Sequence, residues 1–321
     1  MRNFILSLLL VLIGFNGMAQ YAPAAGKAGS TAIYKDSNVI VSWATKCTVI
    51  RGWQYIADHS HGKASVGSQS SALGKADNNV VSLGDGGIAI VQFAQAITNG
   101  QGPDFAVFEN AFDDYFLELA FVEVSSDGQN YFRFPAYSLT QTDSQVVAFG
   151  KLNCEKIHNL AGKYRVAYGT PFDLEDLKNT PGLDITQITY IKIIDVVGSI
   201  DTLYGSKDSV GRMINDPYPT IFPSGGFDLD AVGVLHSATS FNTAVGIQDF
   251  KLYPNPVSNL LNIDLATEAD MEIISMQGKV VLKKYLPEGL STIEVSMLSK
   301  GVYMLRLSSN ESVSVQSFIK Q

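Results

Sequence analysis

Short runs of β-branched and aromatic residues, each closed off within a few positions by Gly, Asn, Asp or Pro, leave this chain little room for helix. Val39-Ile40-Val41-Ser42-Trp43, Ile88-Ala89-Ile90-Val91-Gln92-Phe93, Phe105-Ala106-Val107-Phe108, Leu119-Ala120-Phe121-Val122-Glu123-Val124 and Ile188-Thr189-Tyr190-Ile191-Lys192-Ile193-Ile194 are the clearest. Several alternate apolar with polar residues, the period of a half-buried strand. The segments between them, such as Asn99-Gly100-Gln101-Gly102-Pro103-Asp104 and Ser125-Ser126-Asp127-Gly128-Gln129-Asn130, carry turn residues. Only Phe172 to Lys178 reads as a short helix. The expectation is an all-β fold: a jelly-roll-like β-sandwich body over residues 20–238.

After a small, polar stretch that reads as a linker (239–250), a second strand set begins. Leu260-Leu261-Asn262-Ile263-Asp264-Leu265 alternates. Glu272-Ile273-Ile274 and Lys279-Val280-Val281-Leu282 flank Gly278, a turn residue that supplies the positive φ of a hairpin. Tyr303, Leu305 and Leu307 fall on one face of Gly301–Leu307. About 70 residues of this pattern predict a small immunoglobulin-like β-sandwich over 251–321.

Residues 1–19 read differently. Arg2 precedes an apolar run from Phe4 to Phe15, and Gly17-Met18-Ala19 sets small residues before Gln20. This is the layout of a cleavable secretory signal peptide. The run is shorter than the roughly 20 residues of a membrane-spanning helix, and no later run is long enough either, so no transmembrane segment is expected in the mature chain. A net charge of -8 argues against nucleic acid or an anionic membrane as partner. At 46% hydrophobic and 17% charged residues the chain can bury a core. Cys47 and Cys154 are its only cysteines. In an oxidising compartment they are expected to pair, closing a loop of about a hundred residues and stabilising by about 4 kcal/mol in the chain-entropy model.

The tail resembles a known family. Tyr253-Pro254-Asn255-Pro256, Gln277-Gly278-Lys279, Leu298-Ser299-Lys300-Gly301-Val302-Tyr303 and a basic residue near the end, Lys320, look like the type A C-terminal sorting domain of type IX secretion cargo, found in the Bacteroidetes. The resemblance implies delivery through the periplasm to the outer cell surface or medium, with the type IX secretion machinery as partner. The body, from Val39 to Leu235, resembles uncharacterised bacterial cell-surface proteins. More distantly it resembles galactose-binding-like jelly rolls, in which acidic residues of a closing strand often hold a structural calcium.

The acidic residues of the body invite the same thought. Asp104 and Glu109 flank an apolar strand. Asp228 and Asp230 alternate with Phe227, Leu229 and Ala231, which places both carboxylates on one strand face where they repel unless a cation lies between them. Calcium takes six to eight oxygens, and Asp104, Glu109, Asp113, Asp228 and Asp230 are the candidate ligands. The competing reading is a solvated face or a salt bridge with Lys192 or Arg212. His59-Ser60-His61 could hold zinc, though no third ligand is near and a polar loop explains it. Glu109 with Glu123, or with Asp228, could form a glycosidase pair. No serine-hydrolase elbow, metalloprotease helix or phosphate loop occurs. Aromatics such as Trp53, Tyr55, Phe112, Tyr115, Phe116, Tyr131, Tyr218 and Phe222 are plentiful. Most are expected to fill the core, but those in loop-like contexts beside carboxylates, Tyr115, Phe116 and Tyr218, suit a surface that grips a glycan or another small ligand. The function expected is therefore surface binding or adhesion. Its rivals are a secreted glycan hydrolase and capture of a nutrient such as a cobalamin.

Overall fold

The computed structural model describes residues 21–238, 250–276, 278–309 and 313–321. The leader at 1–19 and nearly all of the 239–250 linker lie outside the described residues. Contacts divide the chain into two units, Met1–Ala238 and Thr239–Gln321.

The body is built from two antiparallel sheets. One orders Ile33–Tyr34, Tyr168–Phe172, Phe105–Glu109, Asp228–Val234 and Ser42–Trp43, with Val81–Ser82 also pairing Asp228–Val234. The other orders Lys46–Ile50, Ile88–Ile97, Ile188–Asp195, Ala120–Ser125 and Phe132–Arg133. From Ile88 onward the chain crosses to the opposite sheet at each long strand in turn, so the strands that pair are far apart in sequence. A β-sandwich results. Ala89, Val91, Val122, Val124, Ile191 and Ile193 from one sheet meet Phe105, Val107, Leu229, Val232 and Val234 from the other in one core. The alternation read from the sequence is the reason: every second residue of each strand is apolar and turns inward.

The Asp228–Val234 strand departs from alternation, being buried along its whole length. Its outer side is covered as well: Ala231 packs with Phe108, Ala106 and Ala76, under Ile33, Ile40 and Trp43. A register shift between Leu229 and Ala231, which pair with Glu109 and Phe108, places an extra residue, Asp230, in this strand. The expected short helix is a 3-10 turn, Leu174–Leu177, whose N-cap Asp173 accepts from the Glu175 N–H.

The second unit is a smaller sandwich. Lys251–Tyr253, Leu260–Leu265 and Gly289–Glu294 form one sheet; Val280–Leu286, Ala269–Ser275, Gly301–Ser308 and Val313–Lys320 form the other. Leu261, Ile263, Met271, Ile273, Tyr303, Leu305, Leu307 and Phe318 fill its core. Gly278 has φ 78° and closes the expected hairpin, donating its N–H to the Ser275 carbonyl at 2.9 Å. Its strands pair mainly with near neighbours in sequence.

Candidate functional site

The acids of the body do not gather as expected. Asp104 is a buried clamp: its carboxylate accepts the N–H groups of Gly100 (2.7 Å) and Leu174 (2.8 Å), and His236 Nδ1 lies 2.8 Å from the same group. Asp230 accepts the N–H groups of Asp77 and Asn78 at 3.1–3.2 Å. Asp113 is exposed and caps its own loop, accepting from the Tyr115 and Phe116 N–H groups at 2.8 Å. Asp228 and Asp230 therefore serve different partners. Phe227 and Leu229 both belong to the core, so the alternation around Asp228 holds, but loop amides claim Asp230 while Asp228 neighbours Glu109. Of the five residues read as a calcium set, the structure brings together Glu109 and Asp228. Among the described residues no group of three or more His, Cys, Asp or Glu side chains is arranged to hold a metal ion.

Other expectations are corrected outright. Cys47 and Cys154 are free, buried thiols. They sit in separate hydrophobic clusters, which removes the geometric basis for the bridge. Burial pushes the Cys47 thiol up to about 11. Glu123 does not face Glu109. It is held in a ladder between Lys192 Nζ and Arg133 Nη2, both at 2.9 Å, so that part of the glycosidase reading fails. The salt bridges considered for the candidate calcium acids go elsewhere: Lys192 pairs with Glu123 and Arg212 with Asp208. His59 stacks on Trp53 with ring centroids 3.8 Å apart, which accounts for it as packing.

What remains is a cleft at the end of the Phe105–Glu109 and Asp228–Val234 strands. Its cavity, about 170 Å³, is lined by Asn110, Phe112, Phe116, Glu118, Ala148, Phe149, Thr220, Phe222, Ser224, Gly225 and Asp228. Glu109 adjoins the floor, where its Oε2 accepts from the Ala111 N–H at 2.8 Å. Glu109 is 1% and Asp228 7% exposed, yet Glu109 Oε1 and Asp228 Oδ1 have no hydrogen-bond partner. Native buried oxygens are nearly always paired. Burial, and then the neighbouring Asp228 charge, hold the Glu109 carboxyl well above the usual range. Burial, then Glu109 and Asp228, do the same to Glu118. Asp228 is pushed up by burial to about 6, an effect that Ser82, Asn110 and Arg51 moderate. The floor is a set of buried carboxyls that burial, and for Glu109 and Glu118 their acidic neighbours, hold toward the protonated form.

The rim is the opposite. Phe112 stacks on Phe116 at 5.0 Å, Phe116 on Phe149 at 5.8 Å, and Phe149 meets Phe222 at 5.6 Å. Three of these rings are open to solvent, Phe112 at 72%, Phe149 at 66% and Phe222 at 39%. Local turns present them. Asp113 fixes the loop of Phe116, and Gly150 donates to the Val147 carbonyl at 2.6 Å beside Phe149. Gly225 donates to the Phe222 carbonyl at 2.9 Å. A Cβ on Gly225 would stand 2.2 Å from the Thr220 carbonyl oxygen, so that turn requires glycine. Phe116 was legible as a loop aromatic; Phe112 and Phe222 stood only among the aromatics expected mostly in the core. Phe149 and Glu118 were missed: the first sits in an apolar run, Val146-Val147-Ala148-Phe149, that resembles core, and the second hides between two leucines. A larger cavity of about 410 Å³, lined by Tyr21, His158 and Lys163 among others, offers less. Lys163 Nζ donates to the Ile157 carbonyl at 2.8 Å, and Asp173 and Asp176 accept from Glu175 and Asn159.

Comparison with known proteins places the tail. Residues 251–321 match the family described as the secretion system C-terminal sorting domain. With that tail the chain is a secreted or outer-surface protein and the type IX secretion machinery is its partner. Among the described residues no helix is long and apolar enough to cross a membrane. No curated protein matches the chain. Similar solved structures include PorZ, a surface component of the type IX secretion system of Porphyromonas gingivalis, at 13% identity, covering 29% of this chain and 14% of that one, with TM-score 0.21. A biofilm-associated protein BSP domain follows at 11% identity, 76% and 50% coverage and TM-score 0.21. A Faecalibacterium prausnitzii β-glucuronidase shows 11% identity, 90% and 47% coverage and TM-score 0.22. The chain spans half or less of each of these structures, and at such TM-scores the likenesses decide neither fold nor activity.

Proposed function

We propose that this chain is an exported binding protein whose body captures a small ligand in the phenylalanine-rimmed cleft. The body's resemblance to cell-surface jelly rolls fits that role. One observation carries the reading: two buried carboxylate oxygens without partners, Glu109 Oε1 and Asp228 Oδ1, at the foot of a cleft edged by exposed aromatic rings. Buried polar atoms left unpaired cost about 1–3 kcal/mol each, and exposed rings forgo burial. A ligand offsets both costs at once. A second reading has its own support. Glu109 and Asp228 are neighbouring carboxyls held in different environments, the arrangement an acid–base pair needs.

The test is thermal melting of the mature chain against neutral oligosaccharides, amines and calcium chloride, with polysaccharide turnover followed in parallel. Saturable stabilisation without turnover, lost in Asp228→Asn, supports a binding protein. Turnover abolished by Glu109→Gln would make it a hydrolase. Stabilisation by calcium alone would restore the structural-calcium reading.

A further inference from the structure

We infer that the cleft takes an organic cation, an ammonium group on a short apolar stem; the inference rests on the cleft being the ligand site. Its floor has oxygens to spare. Ser82 and Asn110 already serve Asp228, yet Glu109 Oε1 and Asp228 Oδ1 have no partner. A cationic donor pairs with such oxygens and favours the ionised, accepting form of the acids. Arg51, whose charge reaches Asp228, donates its guanidinium N–H groups to the carbonyls of Val66, Ser82 and Gly67.

The rim selects the same ligand. Phenylalanine has no polar handle, whereas rings that also hydrogen-bond are tyrosine and tryptophan. What a bare ring face offers beyond apolar area is attraction for a cation. Phe112, Phe116, Phe149 and Phe222 touch one another in turn along the cleft, and Phe112, Phe149 and Phe222 keep ring surface open to solvent. A hydrated metal ion gains little there, because calcium wants oxygen on six to eight sides and the rim gives it carbon. Size narrows the choice further: about 170 Å³ falls short of the roughly 300–1,000 Å³ of drug-sized pockets. The cleft fits a headgroup of a few atoms, with any longer stem leaving across the rings.

The experiment titrates the full mature chain with n-butylammonium chloride and tetramethylammonium chloride. 1-Butanol is the uncharged counterpart, and sodium chloride and calcium chloride are the salt controls. Calorimetry and melting are the readouts. Butylammonium should raise the melting temperature of the body by about 5–10 °C at a hundredfold excess over its Kd. Asp228→Asn and Glu109→Gln should each weaken binding about tenfold or more. Phe149→Leu, which keeps the apolar surface but removes the ring face, should weaken butylammonium by several-fold and leave 1-butanol unchanged. Each variant's melting point without ligand shows whether it has folded, and Phe149→Leu, on the surface, keeps the test open if a floor variant has not. Equal binding of 1-butanol and butylammonium overturns the cation inference and leaves the ligand site standing. Calcium binding with silent amines overturns it in favour of a metal. If neither amine binds, the inference fails, and if in addition no oligosaccharide binds, the ligand site itself fails with it.

Discussion

The two sandwiches of this chain solve the same packing problem with opposite attitudes to charge. The body buries Asp85, Asp104, Glu109, Glu118, Asp195, Asp208, Asp216, Asp228 and Asp230, whereas the buried polar residues of the tail, among those described, are Ser314 and Lys320. The tail is held by regular ladders between strands that follow one another. The body has long loops, and its buried acids hold them. Asp195 accepts from the Gly86 (2.9 Å) and Phe227 (2.7 Å) N–H groups, and Asp216 from Leu119 at 2.9 Å. Asp208 accepts from Ser138, Val210 and Arg212. A carboxylate stapling two distant loops through their amides does what a ladder does elsewhere. Regular sheet suffices for an address that must only be recognised. Loops presenting a cleft need fixing from within.

The largest effect that would break this contrast is in export. Deleting 251–321 should leave the body in the periplasm, with surface and medium levels falling to background on cell fractionation. Normal surface levels would end the division into cargo and address. Next comes the stapling itself. Asp104→Ala removes three interactions and strands buried amides, so it should destabilise the body by about 3–5 kcal/mol. In the tail, Glu272→Ala cuts exposed bridges to Lys283 and Arg306 and should cost under about 1 kcal/mol. Comparable losses in denaturant titrations would erase the difference.

The pH response separates the units more finely. Burial raises the native carboxyls of Asp85, Asp228 and Asp230 to about 6, and raises Glu109, Glu118, Asp195 and Asp216 well above their usual values. Unfolded, all titrate near 4. Between pH 4 and these raised values the native state therefore binds more protons, so stability falls as pH rises. The body should be more stable at pH 5 than at pH 7 by at least a few kcal/mol, at about 1.4 kcal/mol per raised group per pH unit, and melt higher there, while the tail stays level. A body melt that is flat or higher at pH 7 would show that the buried acids are neutralised by something else. The smallest effect concerns the thiols. Unfolding the unreduced mature protein should release two free cysteines, and native Cys47 should alkylate at least roughly a hundredfold slower than a free thiol.

Much of this was readable in advance, for a physical reason. Period-two burial is local, so Ile88–Ile97 and the Tyr303, Leu305, Leu307 face could be read directly. Asp113, Asp173 and Asp184 accept from amides two residues on; that turn chemistry is local too, but Asp113 was read as a calcium ligand and the other two were not singled out. The staples are not. Asp104 reaches Leu174 and Asp230 reaches Asn78, and no spacing rule announces such pairs. Alternation places acids on a strand face but does not say which amides claim them: Asp104 serves Gly100 and Leu174, Asp113 its own loop, and Asp230 the amides of Asp77 and Asn78. The cleft was partly legible, since Glu109 and Asp228 stood out as acids and Phe116 as a loop aromatic. Its lining comes from three parts of the chain, around residues 110–118, 148–149 and 220–228.

The crossing of the chain between sheets has a kinetic consequence. Phe105–Glu109 lies between Tyr168–Phe172 and Asp228–Val234, so the central strand of its sheet waits for partners that come some sixty and then over a hundred residues later. Non-local pairing of this kind is slow, because loop closure precedes any reward. A nascent chain that has emerged as far as residue 200 still lacks the strand that covers its core. Asp228–Val234 arrives just ahead of the tail, whose neighbour-to-neighbour hairpins form quickly. Completion of the body's sheet and synthesis of the 251–321 tail thus follow closely on one another, and a chain cut short before residue 228 lacks both.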